Sequence, residues 1–560
     1  MSYLQRYEQW LDNPALGEKA RDELLNIAGD DTEIAERFHK DLEFGTGGLR
    51  GIVGIGTNRM NIYTVRRAAK GLADYILAST TDGAARGIAI SYDNRHFSKE
   101  FALETALVMA QNSIKAYLFS NLRPTPQLSF AVRHLRCIAG VMVTASHNPP
   151  EYNGYKAYWQ DGGQLVFPKD EDVIKFVNAI DDPASILVMS EEAALQAGLL
   201  KYLCGEMDEV FLEAVKKLSL NPETITEQAN DFSVVYTPLH GTGKMLMEQA
   251  LLNSGFKNIY IEPQQGKPDP NFTTVKNPNP EDPAAFELAL KLAYEKNADI
   301  VLATDPDADR VGCMVKNSSG EYELLSGNAA GAILADYILS QMSIKGILPH
   351  NAGIISTIVS TRLTKKIAEA YEVAYGETFT GFKHIAKHIL DWGNSTRFVF
   401  GFEESFGYLC GDTARDKDAI GCGVLLCEAA AFYKAQGKTL FDALDDIYKK
   451  YGYHAEYTRS ITLPGIDGAA KIKQIIASLR SNPPKTLAGV DVAKIQDFVD
   501  NTPSHDMLYY TMTDNSWFCV RPSGTEPKIK IYLGAEADNT KKARHLLNAL
   551  SKAVFEFMEI

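Results

Sequence analysis

The sequence predicts an α/β protein: three related mixed- or parallel-sheet α/β domains, then a smaller C-terminal α+β domain. Three observations carry this. Between Gly51 and about residue 440, short β-branched runs alternate with helix-length segments, the pattern of repeated βαβ units. The last hundred residues switch to closely spaced strands. A chain of 560 residues is also longer than one hydrophobic core organises.

Along the chain, Tyr3, Tyr7, Trp10 and Leu11 space apolar positions among charges, which predicts amphipathic helices in the first forty residues, broken at Asn13-Pro14. Buried strands are predicted at Gly87–Tyr92, Ile114–Phe119, Ile138–Thr144, Phe232–Tyr236, Asp299–Ala303, Gly353–Ile358 and Phe398–Phe400. Met507–Thr513 and Trp517–Val520 flank the turn signal Asp514-Asn515, and Ile529–Leu533 follows, so an antiparallel meander is expected. A last helix starts from Asp538 or Asn539 as cap and carries the stripe Ala543, Leu546, Leu547, Leu550, Val554 and Phe557. Domain boundaries are expected within Asp181–Leu200, Asn317–Glu321 and Tyr451–Thr458.

Composition narrows the function. A hydrophobic fraction of 45% excludes a disordered chain. Basic residues number 57 against 71 acidic, a formal charge of -14, which opposes attraction to nucleic acid or anionic lipid. No run approaches the roughly 18 apolar residues of a membrane span, and the N-terminus is too polar for a signal peptide, so a cytoplasmic location is expected. The seven cysteines include no Cys-x-x-Cys and suggest neither disulfides nor a zinc cluster.

Polar clusters repeatedly follow apolar runs, where ligands bind in α/β sheets. Asp305, Asp307 and Asp309 could aim three carboxylates at one hard divalent cation. An EF-hand is excluded because Arg310 and Lys316 stand where it needs Gly and Glu. A solvated acidic turn is the alternative; the adjacent Arg310 favours a metal-plus-phosphate site. Ser146 lies in Thr144-Ala145-Ser146-His147-Asn148-Pro149-Pro150 without Gly-x-Ser-x-Gly, and nothing identifies a triad. Lys156, in Asn153-Gly154-Tyr155-Lys156, makes phosphate chemistry a better fit than acyl transfer, with an ordinary Ser/Asn turn as the alternative.

Arg521-Pro522-Ser523-Gly524-Thr525 offers a guanidinium, two hydroxyls and free backbone N–H groups to a phosphate; a Pro-Gly-rich hairpin would look similar. Phe44–Gly51 resembles a phosphate loop, but Arg50 occupies the place of the last glycine. His240–Met245 is not a Walker sequence, which leaves a nucleotide-dependent kinase little support. Lys383, in Thr380-Gly381-Phe382-Lys383-His384, could put a cation near Glu403-Glu404-Ser405, though a lone lysine at a helix start is commonly solvated.

In this order and over nearly the whole chain, the motifs resemble the α-D-phosphohexomutase superfamily. Phe402–Gly411 followed by Asp416-Lys417-Asp418, and the long segment before Phe44, resemble its phosphoglucomutase-2-like branch, which includes phosphoglucomutases and phosphopentomutases. One departure is Phe402, where many phosphoglucomutases have Gly. The resemblance implies four domains around a central cleft, expected at 1–205, 206–325, 326–452 and 453–560. It implies that Ser146 is carried as phosphoserine, that Mg²⁺ sits between its phosphate and Asp305, Asp307 and Asp309, and that Arg310 assists the transfer. Glu403 and Ser405 would hold sugar hydroxyls, while Arg521, Ser523, Gly524 and Thr525 would grip the non-reacting phosphate. Lys156 and His147 are the expected proton carriers, with Arg50 as an electrostatic helper.

The implied reaction is interconversion of α-D-glucose 1-phosphate and glucose 6-phosphate through glucose 1,6-bisphosphate. Phosphopentomutase activity on ribose or deoxyribose 1-phosphate, phosphomannomutase activity, and a non-catalytic phosphosugar-binding role are the alternatives. Monomer and dimer are both left open.

Overall fold

Fully apolar runs flanked by helix-length segments can only bury both faces if helices cover the sheet they form. The computed structural model, which describes residues 1–45, 48–463, 465–501, 505–522 and 528–560, builds three such sheets and a fourth of a different kind. The first comprises β1 (Leu49–Ile52), β2 (Ile88–Tyr92), β3 (Ala116–Phe119), β4 (Ala139–Val143), β5 (Tyr152–Trp159) and β6 (Leu200–Leu203), in the order 1-5-4-2-3-6. The second contains β7 (Ser233–Thr237), β8 (Asn258–Ile261), β9 (Ile300–Thr304), β10 (Val311–Lys316) and β11 (Tyr322–Leu324), in the order 11-10-9-7-8. The third contains β12 (Ala352–Thr357), β13 (Ala374–Thr378), β14 (Arg397–Glu403) and β15 (Gly407–Cys410), in the order 13-12-14-15.

These sheets share a plan. Each has a parallel centre, and each turns antiparallel at one hairpin: β4 to β5, β9 to β10, and β14 to β15. Ser146, Asp305–Arg310 and Glu404-Ser405 all lie in that same hairpin of their respective modules. The three expected site loops therefore occupy one topological position, repeated three times. Mixed sheets and the relatedness of the modules are both borne out.

The fourth sheet is antiparallel throughout: β16 (Tyr453–Thr462), β17 (Thr486–Leu487), β18 (Val490–Asp497), β19 (Leu508–Met512), β20 (Trp517–Pro522) and β21 (Lys528–Ala537), in the order 16-21-20-19-18-17. The meander is present, its turn marked by Asn515 with a left-handed φ of 67°. The final helix, Thr540–Met558, is capped by Asn539, whose side chain accepts from the Lys542 N–H.

Elsewhere the structure refines the reading. Leu200 begins the sixth strand of the first sheet, paired in parallel with β3. Asn317–Glu321 closes the β10–β11 hairpin and so lies inside the second sheet. The helix-to-strand change expected at Tyr451–Thr458 occurs between the helix Leu440–Tyr451 and β16.

Two apolar helices, Gly327–Ile344 and Ala419–Lys434, are buried nearly all round and join the second and third sheets in one core. Inside it, the Glu428 carboxylate accepts from the Leu220 and Asn221 N–H groups (2.8 and 3.0 Å), the Tyr337 hydroxyl (2.8 Å) and Ser219, so this buried charge leaves none of those donors stranded. The N-terminal helices Tyr3–Asp12, Glu18–Asn26 and Asp31–Phe38 pack on Tyr63 and Ile55, bracing the chain that enters β1. Among the described residues no helix is long and apolar enough to cross a membrane.

Candidate active site

The fully buried β4 delivers its following loop to the cleft. Ser146 adopts a left-handed φ of 52°, a conformation costing a non-glycine residue about 1–2 kcal/mol, and the Thr144 hydroxyl accepts its N–H at 2.8 Å. Arg95 holds this strained turn. Its buried guanidinium donates to the carbonyls of Ser146 (2.6 Å), Pro149 (2.7 Å), Tyr152 (3.0 Å) and Asn148. Asp93 Oδ2 lies 3.3 Å from Arg95 Nε, and the Phe272 ring of the second module lies beneath the guanidinium.

Ser146 Oγ donates to Asp305 Oδ2 across 2.6 Å, joining the first module to the second. His147 Nδ1 lies 3.2 Å from Ser146 Oγ, and burial, reinforced by Arg310 and Arg50, pushes this imidazole well below its usual range. Arg50, on β1, donates to Asn148 Oδ1 at 3.0 Å.

In the acidic loop, Asp305 Oδ1 accepts the N–H groups of Asp309 (3.2 Å) and Arg310 (3.0 Å). Thr125 of the first module donates both its N–H to the Asp307 carbonyl (2.9 Å) and its hydroxyl to Asp307 Oδ2 (2.7 Å). Lys156 Nζ reaches Asp307 (2.7 Å) and Asp309 (3.2 Å), and Lys417 Nζ reaches Asp309 (3.1 Å) and Asp416 (3.1 Å). Burial and the two neighbouring aspartates push Asp305 well above the carboxylate range, whereas Lys156 and Lys417 overcome burial and hold Asp309 below it.

The backbone of this loop is seated on His240-Gly241-Thr242. The Thr242 N–H donates to the Pro306 carbonyl at 2.8 Å, and a Cβ at Gly241 would stand 2.4 Å from Pro306 Cα. The segment read as a failed Walker sequence is thus a cradle for the acidic loop.

The three aspartates fit a hard divalent cation. They are buried, their ligand atoms lie within 4.8 Å of one another, and Asp307 Oδ1 and Asp309 Oδ1 are buried without a hydrogen-bond partner. Two orphaned carboxylate oxygens in a buried site are costly unless a cation meets them.

On the third module, Glu403 accepts the Gly381 N–H at 2.6 Å, docking the Thr380–His384 segment against the β14–β15 turn. Lys383 Nζ lies 3.7 Å from the buried Asp170 of the first module, and burial lowers Lys383 with Arg521 contributing. Ser405 stands half-buried at the β14–β15 turn. A Cβ at Gly327 would meet the Glu404 carbonyl at 1.9 Å, and the Val311 N–H donates to the Phe406 carbonyl at 3.1 Å, so the β14–β15 turn and the acidic loop are set against each other. Arg521, on β20, pairs in register with Lys530. Ser523, Gly524 and Thr525 lie outside the described residues.

Four family models match in chain order: phosphoglucomutase/phosphomannomutase α/β/α domain I over residues 41–184, domain II over 209–320, domain III over 326–451, and the C-terminal domain over 476–553. The chain belongs to the phosphoglucomutase/phosphomannomutase family. A phosphoglucomutase of Staphylococcus aureus is 37% identical over 535 residues, covering 93% of this chain and 94% of that protein. Among solved structures, a putative phosphomannomutase from Thermus thermophilus superposes with a TM-score of 0.70 at 23% identity, covering 93% of this chain and 100% of that one. The open form of parafusin, a phosphoglucomutase from Paramecium, gives 0.69 at 18%, covering 92% and 95%. At these identities the structural matches speak for the fold.

This phosphohexomutase chain thus links Ser146, His147, Lys156, Asp305, Asp307 and Asp309 by direct contacts, with Arg310 beside Asp309 and Arg50 on Asn148 of the serine loop, while Glu403 and Lys383 lie on the third module. Sequence reasoning missed Arg95, Thr125 and Lys417. Lys417 was noted only as part of Asp416-Lys417-Asp418; its position shortly after a buried strand was the available signal. Phe402 is a core residue, since a Cβ at Gly331 would press into its ring at 2.4 Å, so the departure at this position falls behind the cleft rather than in it.

Glu404 yields a pH prediction. Burial, then the Glu403 carboxylate, push its carboxyl up to about 7 from an ordinary 4.5, against the pull of Lys530. The folded chain therefore binds this proton more tightly than the unfolded chain, and stability is full below pH 4.5 and declines as pH rises through 7. Glu404→Gln is expected to remove a decline of at most roughly 3 kcal/mol. Urea midpoints should fall from about pH 5 to about pH 8 more steeply in the wild type than in the variant; parallel behaviour would refute the assignment.

Proposed function

We propose that this chain is a phosphoglucomutase, interconverting α-D-glucose 1-phosphate and glucose 6-phosphate through phosphoserine at Ser146 and glucose 1,6-bisphosphate. The observation that carries the proposal is the 2.6 Å approach of Ser146 Oγ to Asp305, beside a buried carboxylate trio. Asp305, Asp307 and Asp309 with Ser146 would hold Mg²⁺, which when bound draws charge from the phosphoryl oxygens during transfer.

The remaining roles fall to side chains. Arg95 and Thr144 fix the Ser146 turn, so the phosphoryl group starts from a set position. A sugar hydroxyl oxygen forms the new P–O bond as the bond to Ser146 Oγ breaks; the hydroxyl proton leaves and Oγ regains one. We assign those protons to His147, which is 3.2 Å from Oγ, and Lys156, which contacts Asp307 and Asp309. Arg310 and Arg50 place positive charge where the equatorial oxygens gain negative charge. Glu403 and Ser405 hold sugar hydroxyls, and Arg521 with Lys383 anchors the far phosphate. The bisphosphate then turns end for end and returns its other phosphoryl group to Ser146.

The reading is tested with a panel of glucose, mannose and ribose 1-phosphates, Mg²⁺ and trace sugar bisphosphate. Glucose 1-phosphate is expected to show the highest kcat/KM. Faster turnover of ribose 1-phosphate would move the assignment to a phosphopentomutase, and no turnover of any sugar would end it.

A further inference from the structure

Arg310 does not face the cleft unaided. Its η1 nitrogen donates to Glu281, while its Nε is buried without a hydrogen-bond partner and lies 4.0 Å from Asp309 Oδ1, itself orphaned. Glu281 comes from the loop before the 3₁₀ turn Pro283–Phe286, and that loop is tightly placed. The Asn279 side chain accepts the Glu281 N–H at 3.0 Å, and Pro280 rests on β10 at Gly312, where a Cβ would stand 2.8 Å from the Pro280 carbonyl oxygen. The seat is two residues beyond Arg310 itself. A carboxylate is therefore preset beside the guanidinium by a close approach that only glycine permits.

Such a carboxylate has two physical consequences. An arginine side chain loses rotamer entropy when ordered, and Glu281 orders it before any ligand arrives. With η1 engaged, the buried Nε edge is left for an incoming anion, the edge that binds phosphate in a fork. Without Glu281, the nearest available carboxylate is Asp309, and closing the 4.0 Å gap would consume one of the oxygens that suit a cation.

We propose that Glu281 is a positioning residue for Arg310: it holds the guanidinium off Asp309 and presents its Nε edge to the phosphoryl group at Ser146. The role rests on the phosphomutase reading, but one of its readouts does not. Glu281→Ala should lower kcat/KM for the phosphosugar about 30-fold and raise the Mn²⁺ dissociation constant, followed by electron paramagnetic resonance, about five-fold, while Glu281→Gln, which keeps the hydrogen bond, restores both to within about three-fold. Acting through Arg310, the alanine substitution should add nothing to Arg310→Met in the double variant. If the alanine variant does not fold, Glu281→Asp, one methylene short, is expected to show the same two losses in smaller measure. Unchanged kinetics and Mn²⁺ binding in the Ala or Asp variant, or additive losses in the double variant, would overturn the proposal. Absence of turnover in the wild type would remove the phosphomutase reading and leave the Mn²⁺ shift as the test of Glu281.

Discussion

Ser146→Ala is expected to lower kcat by roughly 10⁴-fold or more, with little change in binding of the sugar phosphate. The hydroxyl is the atom on which the proposed phosphoryl group resides, and no other described hydroxyl stands against Asp305. The alanine leaves Arg95 and its four carbonyl contacts in place, so the loop keeps its shape and the far phosphate keeps its anchor. Intact-protein mass spectrometry of wild type incubated with glucose 1,6-bisphosphate should show one added phosphate that the variant lacks. Normal Mg²⁺-dependent turnover by the variant would dismiss the phosphoserine mechanism.

Lys417→Met carries the second large effect, and it strikes stability as well as rate. The lysine side chain is 9% exposed, joins Asp309 of the second module to Asp416 of the third, and lies over the Phe382 ring. Asp416 in turn accepts from Tyr158 (2.8 Å) and Gln164 (2.7 Å) of the first, so one ammonium closes a chain of contacts across three modules. Methionine fills similar volume without charge, leaving two buried carboxylates short of a partner, at a cost of about 3–5 kcal/mol. Loss of the cation that holds Asp309, one of the proposed metal ligands, should lower kcat by a further 10²–10³-fold, roughly. Thermal unfolding and steady-state kinetics on the same preparation separate the two, and Lys417→Arg should recover much of the stability. Wild-type kcat in the methionine variant would show that this lysine serves the fold alone.

The contrast between these two residues shows what was legible. Ser146 and the three aspartates could be read because each follows a buried strand, and a chain leaving a parallel sheet must expose its next polar residues at the sheet's end. The parallel strands before the site loops were legible as apolar runs, whereas β5, β10 and β15, the return strands of the three hairpins, are buried too and were not read from the sequence. β18 escaped notice because its side chains are largely solvated, leaving no apolar alternation to mark it. Lys417 was hidden for another reason: Asp309 is more than a hundred positions earlier in the chain, and nothing local to either residue names the other. Arg95 lies 51 residues before Ser146, and Glu281 lies 29 before Arg310.

Linear order alone thus determined the modules and the residue types that phosphoryl transfer requires, while the repeated hairpins emerged only in the fold. Only the tertiary structure decided which charges meet. The energy between two ions depends on separation and on the water removed around them, and neither is written in the order of the residues.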